Sequence, residues 1–170
     1  VTPAETPPDE LYRAVIGEPN QAFYLSYFHR ADARGYAPIS WHWPVFVLGL
    51  FWLLYRKQYK FGLIVLGIPY LAAMVAAAVD GVLPGSGRPL LAVAVGAFGF
   101  VWLPLNANGI YYRWARKQIE RACGEFPGQI DAQLRRLDSL GGVNGQLPYV
   151  VLISFVVFSI LAGSLSRMGQ

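Results

Sequence analysis

Apolar residues fall along this chain into long unbroken blocks, with polar and charged residues confined to the intervals between them. Three blocks, Phe61 to Leu83, Leu90 to Tyr111 and Leu147 to Leu165, are almost free of charge. Each supplies roughly the 20 residues that a helix rising 1.5 Å per residue needs to cross a hydrocarbon core about 30 Å thick. The pattern predicts an all-α integral membrane protein with three transmembrane helices.

The intervals carry shorter patterns. Residues Val1 to Pro8 are proline-rich and offer little to pack, which predicts a mobile tail. Asp9 and Glu10 open a short helix that Gly17 stops, and a second helix runs from Pro19 to about Ala33, with Gly35 ending it. These two lie on the membrane or dock on the chain's own cytoplasmic surface. The segment Trp41 to Tyr55 is strongly apolar, but as a helix it covers only about 22 Å, and Pro44 interrupts its start. Its length and its Trp and Tyr residues favour an interfacial or re-entrant helix. The second long block flows without a breaker into Tyr112-Arg113-Trp114, so that helix projects beyond the membrane to Phe126, where Pro127 ends it. Ile130, Leu134 and Leu137 then recur at helical spacing opposite Asp131, Arg135 and Arg136, predicting a short amphipathic helix. Its apolar face meets headgroups, the N-terminal helices or another protein. The organisation is therefore 1–40, a cytoplasmic tail and amphipathic helices; 41–60, the aromatic-basic helix; 61–111, a transmembrane hairpin; 112–146, a cytoplasmic helical segment; and 147–170, the last span and tail.

Composition agrees with this reading: 55% of residues are hydrophobic and 14% charged. The net charge of +4 would suit nucleic acid, but the Lys and Arg residues flank the ends of the apolar blocks, where they orient a membrane protein. With Trp41 to Tyr55 not crossing, twelve basic residues share one side and Arg88 and Arg167 lie opposite; with it crossing, the split weakens to nine against five. The positive-inside rule thus selects three spans, a cytoplasmic N terminus and an outer C terminus. The opening residues lack the basic start and apolar run of a signal peptide, so insertion is expected to rely on the internal spans. Cys123 is the single cysteine, which removes intramolecular disulfides and multi-thiolate metal sites from consideration.

Several motifs resemble those of the bacterial inner-membrane family known as domain of unknown function 2628. They are Ile16-Gly17-Glu18-Pro19-Asn20 with Phe23-Tyr24-Leu25; Ser40-Trp41-His42-Trp43; Phe51-Trp52-Leu53-Leu54-Tyr55-Arg56-Lys57-Gln58-Tyr59; and Asn108-Gly109-Ile110-Tyr111-Tyr112. The resemblance spans roughly Leu11 to Ala122, and His42 stands where an asparagine is expected. It implies a location, the bacterial inner membrane, and no chemistry. Physically, Trp41, Trp43, Trp52 and Tyr55 suit the headgroup level, and Arg56 and Lys57 face anionic headgroups, giving a membrane-interface anchor.

Candidate chemistry is sparse. His29 and His42 lie outside the long spans and do not form a facing pair of haem ligands. Asp80 is the one acid in a span, close to its outer end where it reaches water. Asn106 and Asn108 suit polar interhelical contacts, and the pairs Ala72/Ala76, Ala73/Ala77 and Ala92/Gly96 permit close approach between the first two spans. No Walker loop, zincin pair, nucleophile elbow or Cys-X-X-Cys motif is present. The expectation is no cofactor and no catalysis: an accessory or scaffold subunit of a larger membrane complex, respiratory or photosynthetic. Its partners would be membrane lipids and other subunits, met through Phe23, Tyr27, Phe28, Trp114, Ile119 and Phe126. The competing expectation is a small oligomeric transporter or lipid-handling protein using Asp80, Asn106 and Asn108.

Overall fold

Short helix α1 (Asp9–Ile16) follows Pro8 directly, with Asp9 and Glu10 in the first turn, where the helix dipole favours negative charge. The computed structural model describes residues 8–85 and 87–168; Val1–Pro7 of the predicted tail lie outside the described residues. Leu11, Tyr12, Val15 and Ile16 are buried, so α1 turns one full stripe inward. Gly17 at φ 72° stops it, and α2 (Gln21–Arg34) begins after Asn20, itself left-handed at φ 59°. Gly35, at φ 71°, terminates α2 as the sequence predicts.

The apolar segment after α2 is two short helices, α3 (Trp43–Leu48) and α4 (Leu50–Tyr55), where the sequence predicts one. Gly49 breaks it at φ 50° and ψ −119°, a conformation open to glycine. Contacts trace the path. The His42 amide donates to the Pro104 carbonyl (3.1 Å), the Phe46 ring packs on Phe100 (6.1 Å), and the chain then returns so that Trp52 meets Tyr111 (6.1 Å). The segment enters alongside one helix, reverses at Gly49 and comes back about three turns further along.

Helix α5 (Tyr59–Val82) is followed by one continuous helical rod, Gly87–Glu125, made of α6 (Gly87–Ala97), a π-helical turn at Phe98–Trp102 and α7 (Leu103–Glu125). Pro104 explains the turn: it has no amide proton for the carbonyl four residues back, and the ladder slips so that the Leu103 amide bonds Phe98. At the α5–α6 junction the Asp80 carboxylate accepts from the Gly87 amide (2.7 Å), and Gly87 lies so close to the Ala76 carbonyl that no side chain fits there. Asp80 thus starts α6. Of the small residues expected between these helices, Ala72 and Ala76 line one shallow groove with Gly87, while Ala92 and Gly96 line another beside Pro69.

Helix α8 (Ile130–Leu140) buries Leu137, half-buries Leu134 and leaves Ile130 exposed. It docks on α1 and α7, so its apolar face is covered within the chain. Asn144 then accepts from the amides of Gln146 and Leu147 to start α9 (Gln146–Met168), while its own groups bond Tyr55 and Tyr59. Helices α5 and α9 therefore start side by side. Among the described residues two helices, α5 and the rod Gly87–Glu125, are long and apolar enough to cross a membrane. Of α9, the described side chains give the shorter apolar run Gln146–Ile160; the rest of the third predicted span lies outside them.

One core unites α1, α2, α4, α7 and α8 around Tyr24, Phe28, Leu53, Tyr111 and Ile119. The N-terminal helices accordingly dock on the chain itself, the second of the two placements open to them from sequence.

Candidate functional site: a buried arginine among aromatic rings

The turn between α1 and α2 is four residues long, and Gly17 and Asn20 at its ends hold positive φ. That geometry turns the Ile16 and Pro19 carbonyls toward the interior, at the carbonyl-rich C-terminal end of α1. Arg56, at the end of α4, meets both: Nη1 donates to Ile16 O at 3.0 Å and Nη2 to Pro19 O at 2.7 Å. Its guanidinium lies 4.4 Å from the Tyr24 ring centroid and 5.4 Å from that of Tyr111, within cation–π range. The residue is 1% exposed. A planar fork satisfies two carbonyls while its faces stay on rings, which an ammonium cannot do.

His42 lies beside this cluster, its ring 4.7 Å from Trp52. Nδ1 accepts from the Val45 amide (3.1 Å) and caps α3, so the neutral ring carries its proton on Nε2 and donates it to Tyr24 Oη (3.0 Å). Burial pushes the imidazole down to about 4, and the Arg56 charge pushes the same way. Burial raises the Tyr24 hydroxyl, with Arg56 opposing. Asparagine, the residue expected where His42 stands, is itself a favoured N-cap and could accept the same amide.

Lys57 adopts a left-handed conformation at φ 57°, and Gln58 N bonds Leu53 O while Lys57 N bonds Leu54 O, a Schellman closure of α4 with lysine in the usual glycine position. Its Nζ donates to Gly141 O at 2.6 Å, at the end of α8. Adjacent basic residues thus cap the C-terminal ends of two different helices. Gly141 itself abuts the Val15 carbonyl too closely for any side chain, and the Gly142 amide bonds that carbonyl.

A second polar node forms on the other side of α2. Asp32, with a side chain 8% exposed, accepts from Tyr12 (2.8 Å) and Tyr112 (2.6 Å) and lies 3.5 Å from Arg116. Burial, then the bond to Asp32, raises the Tyr12 hydroxyl. Sequence reasoning passed over Asp32 and Tyr12, because a lone acid in an exposed-looking helix and a tyrosine in a short one carry no motif.

The predicted site residues divide sharply. Trp41 and Trp43 are exposed, as an interface anchor requires, but Trp52 is buried and Arg56 turns inward. The expectation that Arg56 faces headgroups is corrected: its fork is committed to backbone carbonyls, and Lys57 is committed to Gly141. Tyr55 is half-buried beside Arg56. Among expected partner contacts, Phe23 is 48% exposed and Phe126 half-buried, and Trp114 stacks on Tyr111 at 5.7 Å. Tyr27, Phe28 and Ile119 are core residues, so their placement on a partner surface is also corrected. Asn108 reaches Ser40 (2.8 Å), tying α7 to the segment before α3, whereas Asn106 bonds Trp102 on its own helix and makes no such link. His29 pairs with Asp9 (2.7 Å), apart from His42. Among the described residues no three of His, Cys, Asp and Glu gather as a metal site.

The described residues form an all-helical protein with two membrane-length helices, folded around an arginine that its own motifs surround, and that defines the class. Residues 20–117, more than half of the chain, match the family described as Protein of unknown function (DUF2628), and the chain belongs to it. The match begins at Asn20, so Ile16 and its neighbours, which complete the arginine's cage, lie just outside it. No curated protein and no solved structure matches the chain.

Proposed function

We propose that this chain is a multi-pass protein of the bacterial cytoplasmic membrane that serves a larger membrane assembly as a non-catalytic accessory subunit. One observation carries the reading: the polar side chains of its motifs are spent on holding its own helices together, while α5 and the segment around Trp41 and Trp43 turn apolar and aromatic side chains outward. Arg56, Lys57, His42, Asn108 and Asp32 all bind within the fold. Leu63, Tyr70, Met74 and Val82 of α5 face outward, and so do Phe23, Trp41 and Trp43. Contiguous apolar surface of this kind fits lipid and partner subunits. The transporter reading draws no support from Asp80, Asn106 and Asn108, which bond separately to Gly87, Trp102 and Ser40.

Purification from native membranes in mild detergent, with photo-crosslinkers at Phe23 and Trp43, tests the proposal. Stoichiometric crosslinks to other membrane chains are expected. A solitary homo-oligomer that moves a solute in liposomes would overturn it. Cysteine labelling of both termini in a Cys123→Ser background reads the topology, with the N terminus cytoplasmic and the C terminus outside; termini on one side would remove the three-span arrangement.

A further inference from the structure

Between α2 and α3 the chain runs extended around the rod, with the Ser40 amide donating to Leu105 O (3.3 Å) and the His42 amide to Pro104 O (3.1 Å). These carbonyls mark the level at which the rod's apolar run gives way to Asn106 and Asn108. At that level Ile39 is 74% and Trp43 66% exposed, with Tyr36 and Trp41 exposed beside them. Such a collar of rings and aliphatic side chains suits the boundary between hydrocarbon and headgroups.

Directly beyond the collar, Arg113 bends back toward it. Its Nη1 lies 3.4 Å from where a Gly109 side chain would begin, and Tyr27 Oη and the Ala37 Cβ lie 3.5 and 3.2 Å from the same point. Glycine at 109 leaves room for the guanidinium to fold down the helix toward the apolar end, the snorkelling posture of an interfacial arginine. Arg30 stands one turn after Tyr27 on α2, near enough for its charge, like that of Arg113, to act on the Tyr27 hydroxyl. Arg34 and Lys117 stand one turn further along on the same two helix faces. All four are exposed, and none joins an ion pair among the described residues. The acid on α2, Asp32, is already engaged by Tyr12, Tyr112 and Arg116.

We propose that Arg30 and Arg113, flanked by Arg34 and Lys117, form a binding surface for the phosphate headgroups of anionic phospholipids in the cytoplasmic leaflet, with Ile39, Trp41 and Trp43 seated among the acyl chains below. The surface takes over the headgroup role that the sequence assigns to Arg56 and Lys57. It rests on the membrane location proposed above. Each basic side chain held at an anionic surface contributes about a fivefold factor in association.

The full chain, reconstituted in phosphatidylcholine vesicles, reports on this through quenching of its tryptophan fluorescence by brominated phosphatidylglycerol or brominated phosphatidylcholine. The wild type should favour the anionic lipid several-fold. Arg30→Gln with Arg113→Gln should bring the preference near unity, while Arg121→Gln with Arg135→Gln, the same change in charge elsewhere, should leave it. Equal quenching of the wild type by both lipids would overturn the surface while leaving the membrane location standing. Equal loss in both double variants would overturn its assignment to Arg30 and Arg113. Absence of quenching by either lipid, with failure of the chain to float with vesicles, would instead sink the membrane location.

Discussion

Burying a guanidinium is costly unless its donors find acceptors, and the two terminal nitrogens of Arg56 find carbonyls beside the Gly17–Asn20 turn, while the buried Nε has none. Removing it leaves both carbonyls without a donor and the rings of Tyr24 and Tyr111 facing a void. Arg56→Gln should therefore cost about 3 kcal/mol, and Arg56→Lys a large part of that, since an ammonium cannot fork. Chemical unfolding in detergent measures both; a loss under about 0.5 kcal/mol for Arg56→Gln, the range of ordinary surface changes, would show that the cage is not holding the fold. His42 supplies a pH signature. Its imidazole titrates near 6.5 when unfolded and near 4 when folded, so between those values the unfolded chain binds more protons. Stability is thus full above about pH 6.5 and declines as pH falls toward 4, by on the order of 2–3 kcal/mol at about 1.4 kcal/mol per pKa unit. His42→Asn keeps an acceptor for the Val45 amide but cannot be protonated, and its melting temperature should vary less across that window. An unchanged slope would place the acid sensitivity elsewhere.

At the scale of elements, two backbone positions decide how the segment Trp43–Tyr55 folds. Gly49 has nothing within 4 Å of the place a side chain would occupy, so Gly49→Ala tests backbone conformation alone. A loss of about 1–2 kcal/mol is expected, because alanine resists this φ and ψ and favours one straight helix. A neutral result in thermal unfolding would mean that the break is not imposed by glycine. Lys57 offers the reverse case. Glycine there relieves about 1 kcal/mol of left-handed strain but forfeits the bond to Gly141 O, worth about as much, so Lys57→Gly should be near neutral. Lys57→Ala forfeits the bond and keeps the strain, and should rank below it by about 1 kcal/mol. The reverse order in the same assay would contradict the Schellman assignment.

For the whole molecule, the family match and the folding unit differ in extent. Residues 20–117 include α2 to α6 and most of α7, but Leu11, Tyr12, Val15 and Ile16 of α1 and Leu137 of α8 complete the core. A chain limited to 20–117 would expose Tyr111 and Phe28 and deprive Arg56 of Ile16. It should give a broad, non-cooperative melt, while residues 8–168 melt cooperatively; a sharp transition in the shorter chain would show that the matched segment folds alone. The same packing explains why the N-terminal helices stay with the chain: α1 is held by α7 and α8 through apolar burial and through the Gly142 bond to Val15 O.

What the sequence determines by itself is whatever depends on local pattern. Block hydrophobicity marks α5 and the rod, since length and apolarity are additive along a helix. Helix stops at Gly17 and Gly35, and the end of α7 before Pro127, follow from backbone sterics that act over a few residues. The π-helical turn at Phe98–Trp102 and the break at Gly49 had local causes too, in Pro104 and Gly49, but a proline or glycine marks a weak point without saying which way the chain yields. The aromatic-Arg-Lys motif shows the limit most clearly. Trp52, Arg56 and Lys57 read as an interface anchor because tryptophan and basic residues beside an apolar run are found there. Only the tertiary structure decided that Arg56 points inward, because its direction depends on two carbonyls 40 and 37 residues earlier in the chain and on rings from two other helices. A charge goes wherever its hydrogen bonds are satisfied, and that is settled by which helices meet, not by which residues are neighbours in sequence.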